Sequence, residues 1–329
     1  MKIFGWLADR SGCGYYRLML PGAELAKRGH DVMLDGALPA AAKSGECDVV
    51  IGQRTCNEGA SVTWQKIARA GHTKLVFETD DLLSAVDPSN RAAHRFYDAE
   101  TVRRYHENMA VADVITVTTD RLAEHARTVN PTAAIHVLPN MIPAWLLGHE
   151  RPSAGDLVTI GWRGGLSHGR DFGELAKPLR RFLQHPSNRD RVEFHAMGAP
   201  YHERVATRHG RTRWTGWHEA VGDFLRAVDF DVAVIPLRPS VFNEAKSDLA
   251  LVEMSALGIP SIVSVWPGSP YTAHAAAGPV ARFAGDWAEH LHDLVNDAEA
   301  REQLGKQARE WAAGRTIEGN AYRWEEAYS

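Results

Sequence analysis

The feature that most constrains this 329-residue chain is an alternation of short apolar runs with longer amphipathic segments, which occurs in both halves. In the first half the apolar runs are residues 2–7, 30–34, 48–52, 75–78, 114–117 and 135–138. In the second half they are residues 158–162, 192–197, 232–236 and 261–265. Apolar runs of this length, separated by helical segments, are typical of parallel strands covered by helices. The pattern predicts an α/β protein with two doubly wound, Rossmann-like domains.

Helices are predicted where apolar residues recur at helical spacing or where capping residues occur. These segments are residues 18–28, 92–112, 172–183, 220–228, 247–257, 287–296, 298–313 and 322–328. A glycine- and proline-containing stretch, residues 144–156, predicts a linker. We therefore expect an N-terminal domain of residues 1–145, with residues 316–329 packing back on it, and a C-terminal domain of residues 156–315. Ligands of such sheets bind at the carboxyl ends of the strands, which predicts a cleft between the two domains.

Composition excludes several other classes of protein. The formal net charge is -4, from 37 basic and 41 acidic residues, whereas proteins that coat nucleic acid are usually basic. Charge therefore gives no indication of a stable association with nucleic acid or membrane. The three cysteines show no C-x-x-C spacing, which indicates a reducing compartment, and no apolar run approaches the ~18 residues that span a bilayer. We expect a cytoplasmic protein.

Two further counts bear on ligands. The 16 histidines show no H-E-x-x-H or similar spacing, so neither a metal site nor a metal cofactor is expected. Two clusters of arginines are predicted to be solvated helix faces and loops. They are Arg91, Arg95, Arg103 and Arg104 in the first half, and Arg204, Arg208, Arg211 and Arg213 in the second.

Residues 242–260 are the most informative segment of the sequence. Ser247 and Asp248 are good N-cap residues and predict the start of a helix. The free backbone N–H groups and positive dipole end of such a helix suit a diphosphate, and Lys246 would add a cation. Glu253 lies in the following helix, which is otherwise apolar, so its carboxylate needs a partner. Two ribose hydroxyls are suitable partners for it.

This segment resembles the donor motif of GT-B glycosyltransferases of the family 4 type. The motif has two glutamates separated by seven residues, the second followed by small residues and Gly-x-Pro, as in residues 253–260 here. The first half departs from the motif, because Ala245 stands eight positions before Glu253 and Glu244 stands one earlier. The resemblance therefore implies that either Glu244 or Asn243 contacts the hydroxyls of the donor sugar.

A second segment, residues 161–172, resembles the family's turn after the first strand of the C-terminal domain. In the family this turn carries an arginine and, five residues later, a lysine, which hold the diphosphate. Gly165 occupies the arginine position and Arg170 the lysine position, so Arg163 is the candidate to replace the lost arginine. The same turn contributes two further donor-binding candidates, Gly164 and His168. Weaker similarities to the family cover residues 118–122, 137–140, 214–217 and 231–237.

The glycine-containing loop of residues 11–14 follows the first strand. Glycines allow the backbone to approach a phosphate closely, but Arg17 stands where a dinucleotide-binding G-x-G-x-x-G motif requires its third glycine. This excludes NAD. The resemblance implies that Gly12 and Gly14 face the donor phosphate, and that Arg17 balances the charge of the leaving group.

Asp80 and Asp81 follow the fourth strand, where paired carboxylates can bind a divalent metal or orient the hydroxyls of an acceptor. The resemblance favours the acceptor role, because GT-B enzymes do not generally depend on a bound metal.

Taken together, the resemblance implies a hexosyl- or pentosyltransferase that moves a sugar from a nucleotide-sugar donor with retention at the anomeric carbon. Lys246, Arg170 and the helix N-terminus would stabilise the departing diphosphate. Two alternatives remain open: a sugar-nucleotide 2-epimerase on the same scaffold, and a non-catalytic nucleotide-sugar-binding relative. The sequence resembles glycosyltransferases of actinobacteria and their phages, so a polysaccharide, a glycolipid, a protein or a hydroxylated base in phage DNA are all candidate acceptors.

Overall fold

The computed structural model of the chain describes residues 1–152, 155–272, 280–281 and 284–329. The chain divides into two compact units. Unit 1 comprises Met1–Pro143, Ala245–Ser247 and Thr316–Ser329, and unit 2 comprises Ala144–Glu244 and Asp248–Arg315. The linker predicted at residues 144–156 begins with a 3-10 turn, Ala144–Gly148, and its residues Ser153 and Ala154 lie outside the described residues.

Unit 1 is built on a parallel sheet whose strands appear in the order β2-β1-β3-β4-β5-β6. They are β1 Lys2–Trp6, β2 Asp31–Asp35, β3 Val49–Gln53, β4 Lys74–Thr79, β5 Val114–Val117 and β6 Ala134–Val137. The strand order reverses between β1 and β3. A reversal of this kind leaves a crevice at the carboxyl ends of the two strands.

Unit 2 is built on a second parallel sheet, in the order β12-β11-β10-β7-β8-β9. Its strands are β7 Val158–Gly164, β8 Val192–Gly198, β9 Arg211–Thr215, β10 Val232–Ile235, β11 Ser261–Ser264 and β12 Val280–Ala281. Within the unit this is the 3-2-1-4-5-6 order of dinucleotide-binding folds, so the reversal falls between β7 and β10.

Helices cover the faces of both sheets. The first nine are α1 Gly12–Gly14, α2 Leu20–Lys27, α3 Ala40–Ser44, α4 Glu58–Ala70, α5 Arg91–Phe96, α6 Ala99–Ala110, α7 Asp120–Val129, α8 Gly169–Gln184 and α9 His202–Val205. The others are α10 Val221–Arg226, α11 Val241–Glu244, α12 Leu249–Ala256, α13 Ala284–Asn296, α14 Ala298–Ala312, α15 Ile317–Asn320 and α16 Tyr322–Tyr328. In the described part of the chain, no helix is long and apolar enough to cross a membrane.

Alternate residues of the unit 1 strands enter two different apolar clusters, because successive side chains of a strand point to opposite faces. Phe4 and Phe77 pack with Trp64 and Tyr105 on one face. On the other face Ile3, Leu18 and Val76 pack with residues of the C-terminal segment, Trp324 and Tyr328. Both faces of the first sheet are therefore covered, and the chain's last helix supplies part of the cover.

The core of unit 2 is closely packed around aromatic side chains. Trp162, Phe172 and Phe194 lie in one apolar cluster on the sheet. On β7 a Cβ atom at Gly161 would lie 1.8 Å from the Phe230 ring, so no larger residue fits there. The C-terminal half of β7 can therefore approach Phe230 only because position 161 has no side chain.

The observed elements differ from the sequence-based predictions in three ways. The helix predicted over residues 92–112 is divided into α5 and α6, because Asp98 caps the second helix by accepting a hydrogen bond from the Thr101 N–H at 2.8 Å. The predicted loop at residues 11–14 is helical from Gly12 onward and continues through a π-helical turn, Tyr15–Met19. Helices α3, α4, α7, α9 and α11 and strands β9 and β12 have no counterpart among the predictions.

Candidate functional site

The crevice at the reversal of the second sheet carries a buried ion pair. Arg163 lies at the end of β7, and its guanidinium pairs with the carboxylate of Glu253 on α12. The Glu253 side chain is 2% exposed, and that of Arg163 is 17% exposed. Glu253 lies in an otherwise apolar helix, and Arg163 on the neighbouring strand balances the charge of its carboxylate. The pair fixes the two side chains beside one another at the carboxyl end of the sheet.

Asp171, in the first turn of α8, connects three segments of the same crevice. One of its oxygens accepts hydrogen bonds from the Arg238 backbone N–H at 3.1 Å and from the Asn243 side-chain amide at 2.9 Å. Its other oxygen lies 3.0 Å from Nδ1 of His168. Burial alone would raise the pKa of Asp171, but these hydrogen bonds and the nearby His168 lower it below its usual value. Asp171 is therefore held as an anion that positions His168 and Asn243.

The beginning of α12 differs from the prediction. The helix begins at Leu249, with Asp248 as its N-cap residue, and the Asp248 carboxylate is engaged by both terminal nitrogens of Arg315 at 2.9 Å. Ser247 belongs to unit 1, where its hydroxyl accepts a hydrogen bond from the Asn140 amide at 2.9 Å. The prediction that Ser247 opens the helix is wrong, because its hydroxyl bonds to a distant amide instead of the helix's own backbone.

Three further predicted residues lie in unit 2. Gly164 ends β7, and a Cβ there would lie 2.6 Å from the Trp162 ring, so packing alone requires glycine. Arg170 is the second residue of α8 and is exposed. The Glu244 side chain lies against Gly268, where a Cβ would approach its Cγ to 3.1 Å.

The second group of predicted residues lies in unit 1, at the carboxyl end of its sheet. Asp80 and Asp81 follow β4, and Nζ of Lys246 pairs with Asp81 at 3.1 Å. Burial would lower the pKa of Lys246, but Asp81 and Asp80 raise it above its usual value, so the ammonium stays charged. The short segment Ala245–Ser247 is also held by Thr119, whose hydroxyl donates to the Ala245 carbonyl at 3.0 Å.

Arg54 lies in the crevice of the first sheet, directly after β3. Its guanidinium pairs with Asp9, which follows β1, and lies 3.9 Å from Asp80. Its backbone has φ of 47°, a left-handed conformation that costs energy for a residue with a Cβ. The same guanidinium lies 3.6 Å from the Cys13 sulfur, and burial raises the pKa of that thiol well above its usual value. The thiol is therefore protonated at neutral pH.

The structure contradicts the role predicted for Arg17. Its side chain is completely buried, and Nε and Nη2 donate to the two carboxylate oxygens of Glu78 at 2.7 and 3.0 Å. Nη1 donates to the Leu138 carbonyl at 2.6 Å and to the Asn140 side chain at 3.0 Å. A guanidinium used in this way joins the ends of strands within unit 1, and its charge is neutralised by Glu78. It is not available to balance the charge of a leaving group.

The glycines of the same segment have different roles from each other. A Cβ at Gly14 would lie 1.8 Å from the Asp9 carbonyl oxygen, so this position requires glycine for packing. The Gly14 N–H donates to the Asp9 carboxylate at 3.2 Å. At Gly12, within the described residues, no heavy atom would lie within 4 Å of a Cβ. Packing therefore explains why position 14 is a glycine, whereas it does not explain the glycine at position 12.

Several residues of these two groups were not predicted from the sequence: Asp9, Arg54, Asp171, Arg238, Tyr271 and Arg315. Their partners are mostly distant in sequence, so local spacing gave no signal for them. Tyr271 is the clearest example. Burial raises its pKa, nearby Asp248 adds to the rise, and Arg163 opposes it. Across residues 1–152, 155–272, 280–281 and 284–329, no group of three or more His, Cys, Asp or Glu residues is arranged to hold a metal ion.

The sequence matches no protein-family model, and a search of curated proteins finds no significant relative. Solved structures do match, two of them over almost the whole chain. Sucrose-phosphate synthase from Thermosynechococcus elongatus is 14% identical with a TM-score of 0.68, covering 100% of this chain and 98% of that one. Anabaena HepE in complex with UDP-glucose is 13% identical with a TM-score of 0.70, covering 99% of each chain. A Staphylococcus aureus TarM variant in complex with UDP is 13% identical with a TM-score of 0.59, covering 85% of this chain and 55% of that one.

These similarities, together with two parallel-sheet α/β units, define the class of fold. The chain has the GT-B fold, and the fold class predicted from the sequence is confirmed. The epimerase alternative gains no support from these comparisons.

Proposed function

We propose that this protein is a glycosyltransferase that uses a nucleotide-sugar donor bound by unit 2. The observation that carries the proposal is the Arg163–Glu253 pair at the reversal of the second sheet, the position where doubly wound sheets bind nucleotides. A GT-B relative with UDP-glucose bound, which this chain matches along its full length, supports the same class of ligand. The motif of residues 253–260 further favours a relationship to family 4.

Glu253 is proposed to accept hydrogen bonds from the ribose hydroxyls of the donor. Its side chain is almost fully buried and pairs with Arg163, so its carboxylate is already held in place before the nucleotide binds. A preorganised acceptor of this kind avoids the entropy cost of ordering the side chain on binding. Asn243 and Glu244 are the candidates for the sugar hydroxyls. Asn243 is held in place, because its amide bonds to both Asp171 and the Arg238 carbonyl.

The departing diphosphate is proposed to be stabilised by Arg170, by the backbone N–H groups of the first turn of α12 and by Lys246. In the transfer, the bond between the anomeric carbon and the phosphate oxygen breaks while the acceptor oxygen bonds to the same carbon. The acceptor hydroxyl gives up its proton to the departing diphosphate, and the family resemblance favours retention of configuration. Cationic groups and oriented N–H donors act on the negative charge that develops on the leaving group.

Asp80 and Asp81 are proposed to orient the acceptor's hydroxyl groups. Asp81 is held by Lys246 at 3.1 Å, and Asp80 lies 3.9 Å from Arg54. Carboxylates fixed by cations in this way accept hydrogen bonds in a defined direction. Polysaccharide, glycolipid, protein and modified phage DNA all present suitable hydroxyls.

The first test is a thermal-shift screen of the purified protein with UDP-, GDP- and ADP-sugars, combined with a measurement of slow nucleotide release. We expect one donor to stabilise the wild type and to be hydrolysed slowly, and Glu253→Gln to lose at least tenfold in donor affinity. Arg226→Gln, on the exposed face of α10, is the matched control and should bind as the wild type does. Stabilisation without nucleotide release would favour the non-catalytic relative, and no response to any donor would contradict the proposal.

A second test concerns Lys246. Lys246→Ala should lower turnover strongly, on the order of a hundredfold for a lost charge-stabilising contact, while the protein remains folded. Lys177→Ala, an exposed lysine on α8, serves as the control. Full activity of the Lys246 variant would remove this residue from the mechanism.

A further inference from the structure

A second candidate site lies in unit 2, at the amino end of its sheet and so opposite the crevice with the Arg163–Glu253 pair. It is a cavity of about 340 Å³ beside Asp231 and Pro260, the residues that precede β10 and β11. Four basic side chains line it, Arg151, Arg301, Lys306 and Arg309, against two acidic ones, Asp231 and Glu302. The cavity is within the size range of small-molecule sites.

Hydrogen bonds to backbone carbonyls hold the three arginines of this basic cavity. Arg309 donates to the Leu257 carbonyl at 3.0 Å, and Arg301 donates to the Leu294 carbonyl at 2.6 Å. Arg151 donates to the Phe230 carbonyl. In each case a single terminal nitrogen makes these bonds. The planar guanidinium has five N–H donors in a fixed fork, so carbonyl capping accounts for only part of its capacity.

The charges in the basic cavity are not balanced by its acidic residues. Glu302 pairs with Lys306 at 2.7 Å, and Asp231 accepts a hydrogen bond from the Thr159 backbone N–H at 2.8 Å. Burial lowers the pKa of Arg151, and the like charge of Arg309 lowers it further, against the opposing effect of Asp231. Concave surfaces lined mainly by one sign of charge concentrate counter-ions of the other sign.

A helix N-terminus also borders the basic cavity. Ala298, the first residue of the 15-residue helix α14, lines the basic cavity. Its N-cap residue, Asp297, accepts a hydrogen bond from the Ala300 N–H at 2.9 Å, which leaves the Ala298 and Glu299 N–H groups at the helix start. First-turn N–H groups and the helix dipole both favour an anion there.

Two glycines in the wall of the basic cavity allow α14 to pack closely against the segment that follows α12. A Cβ at Gly305 would lie 2.3 Å from the Gly258 carbonyl oxygen, and a Cβ at Gly258 would lie 2.7 Å from the Arg309 guanidinium. Gly258 also has φ of 67°, a conformation that favours glycine. Side chains at these positions would displace Arg309 or separate α14 from the end of α12.

We propose that this basic cavity is a binding site for a phosphate group, either inorganic phosphate or a small phosphomonoester, held by Arg151, Arg301, Lys306 and Arg309. Arginine forks match the geometry of phosphate oxygens, and the lysine adds a point charge. The inference is independent of the proposed transfer reaction, because the residues that form this site take no part in it.

The test is isothermal titration calorimetry of the full-length protein with inorganic phosphate at constant ionic strength. Lys306→Glu and Arg301→Gln should each weaken phosphate binding roughly tenfold or more, the effect of losing a charge-assisted contact. Lys306 is 69% exposed, so its variant should fold as the wild type does; melting without phosphate checks this. Arg301 also bonds to the Leu294 carbonyl near the end of α13, so its variant is checked by melting without phosphate in the same way. Arg309, which bonds to the Leu257 carbonyl at the end of α12, is left unchanged.

Two control variants distinguish phosphate binding in the basic cavity from general effects of removing a positive charge elsewhere. Lys27→Glu changes an equally exposed lysine that also pairs with a helical glutamate, and Arg226→Gln changes an exposed arginine of α10. Both should bind phosphate with the wild-type affinity. Equal affinity in all variants, or no saturable heat up to about 10 mM phosphate, would overturn the proposal. A parallel titration with glycerol 3-phosphate distinguishes the two sources: tighter binding than phosphate indicates an ester, and equal binding indicates the free ion.

Discussion

Replacing Arg17 with methionine tests whether this arginine stabilises unit 1 or serves the reaction. The substitution keeps much of the apolar stem but removes five N–H donors. The Glu78 carboxylate then loses both bonds from Arg17 and keeps the hydrogen bond that the Thr116 hydroxyl donates at 2.6 Å. The Leu138 carbonyl and the Asn140 side chain also lose a donor. Removing one partner of a buried ion pair costs about 3–5 kcal/mol. For a protein of this size the expected fall in Tm is roughly 10 °C, from about 2–4 °C per kcal/mol.

The pH dependence of the Arg17→Met variant gives a sharper test. Burial raises the pKa of Glu78 in the wild type, and Arg17 and Thr116 offset part of the rise. Without Arg17 the folded-state pKa rises further above the unfolded value, so the folded variant takes up a proton more readily than the unfolded chain. Stability of the variant should therefore increase, relative to wild type, as the pH falls through that raised pKa.

Urea unfolding of the wild type, Arg17→Met and Arg17→Met/Glu78→Leu, between pH 8 and pH 5, measures these effects. The double variant removes both charges and should recover much of the loss. Arg103→Met, on an exposed pair with Glu100, should leave the unfolding midpoint nearly unchanged. A penalty for Arg17→Met below about 1 kcal/mol, or one that grows on acidification, would refute the structural role of Arg17.

Three other substitutions give distinct expectations. Gly161→Ala should destabilise the protein by about 1–3 kcal/mol or more in thermal or urea unfolding, because its Cβ would overlap the Phe230 ring. Gly173→Ala, on the exposed face of α8, should be neutral or stabilising by up to about 1 kcal/mol, and equal effects of the two would contradict the packing at β7. Glu253→Gln keeps a polar side chain but leaves Arg163 without its charged partner, so it should cost about 1–3 kcal/mol of unfolding free energy. An unchanged urea midpoint would show that the pair is not formed. Trp324→Ala should cost about 3–5 kcal/mol by calorimetry, whereas Tyr322→Ala on the exposed side of α16 should cost far less; similar losses would argue against the buried position of Trp324.

Sequence reasoning succeeded where a strand is buried and apolar along its whole length. Strand β5 was predicted with the bounds it has, because Val114–Val117 is a short apolar run with all four residues buried. Strand β9 was missed, since it carries Arg211 and Arg213, which we expected on solvated helix faces or loops. It becomes a strand through pairing with β8, where Glu193 and Arg213 form an ion pair at 2.8 Å. Such a cross-strand contact has no local signature.

The candidate site shows the same limit of sequence-based prediction, because contacts between residues distant in sequence leave no local pattern. Spacing placed Glu253 in an apolar helix and predicted that its charge needs a partner, and Arg163 fills that requirement. Nothing local indicated that Arg17 pairs with Glu78, a residue 61 positions away, or that Asp171 joins Arg238 and Asn243. The predicted roles of Lys246, Arg170, Asp80 and Asp81 stay predictions.

The contribution of the C-terminal segment to unit 1 has a consequence for biosynthesis. Ile317, Trp324 and Tyr328 are buried against the strands of the first sheet, and the Ile317 N–H donates to the Ile142 carbonyl at 2.8 Å. The ribosome must produce all of unit 2 before it reaches these residues. Synthesis proceeds at about 5–20 residues per second. One apolar face of the nascent first sheet therefore stays incompletely covered for on the order of ten seconds or more. Cotranslational folding of unit 1 therefore stops short of completion, and the exposed face is a natural binding surface for chaperones during that interval.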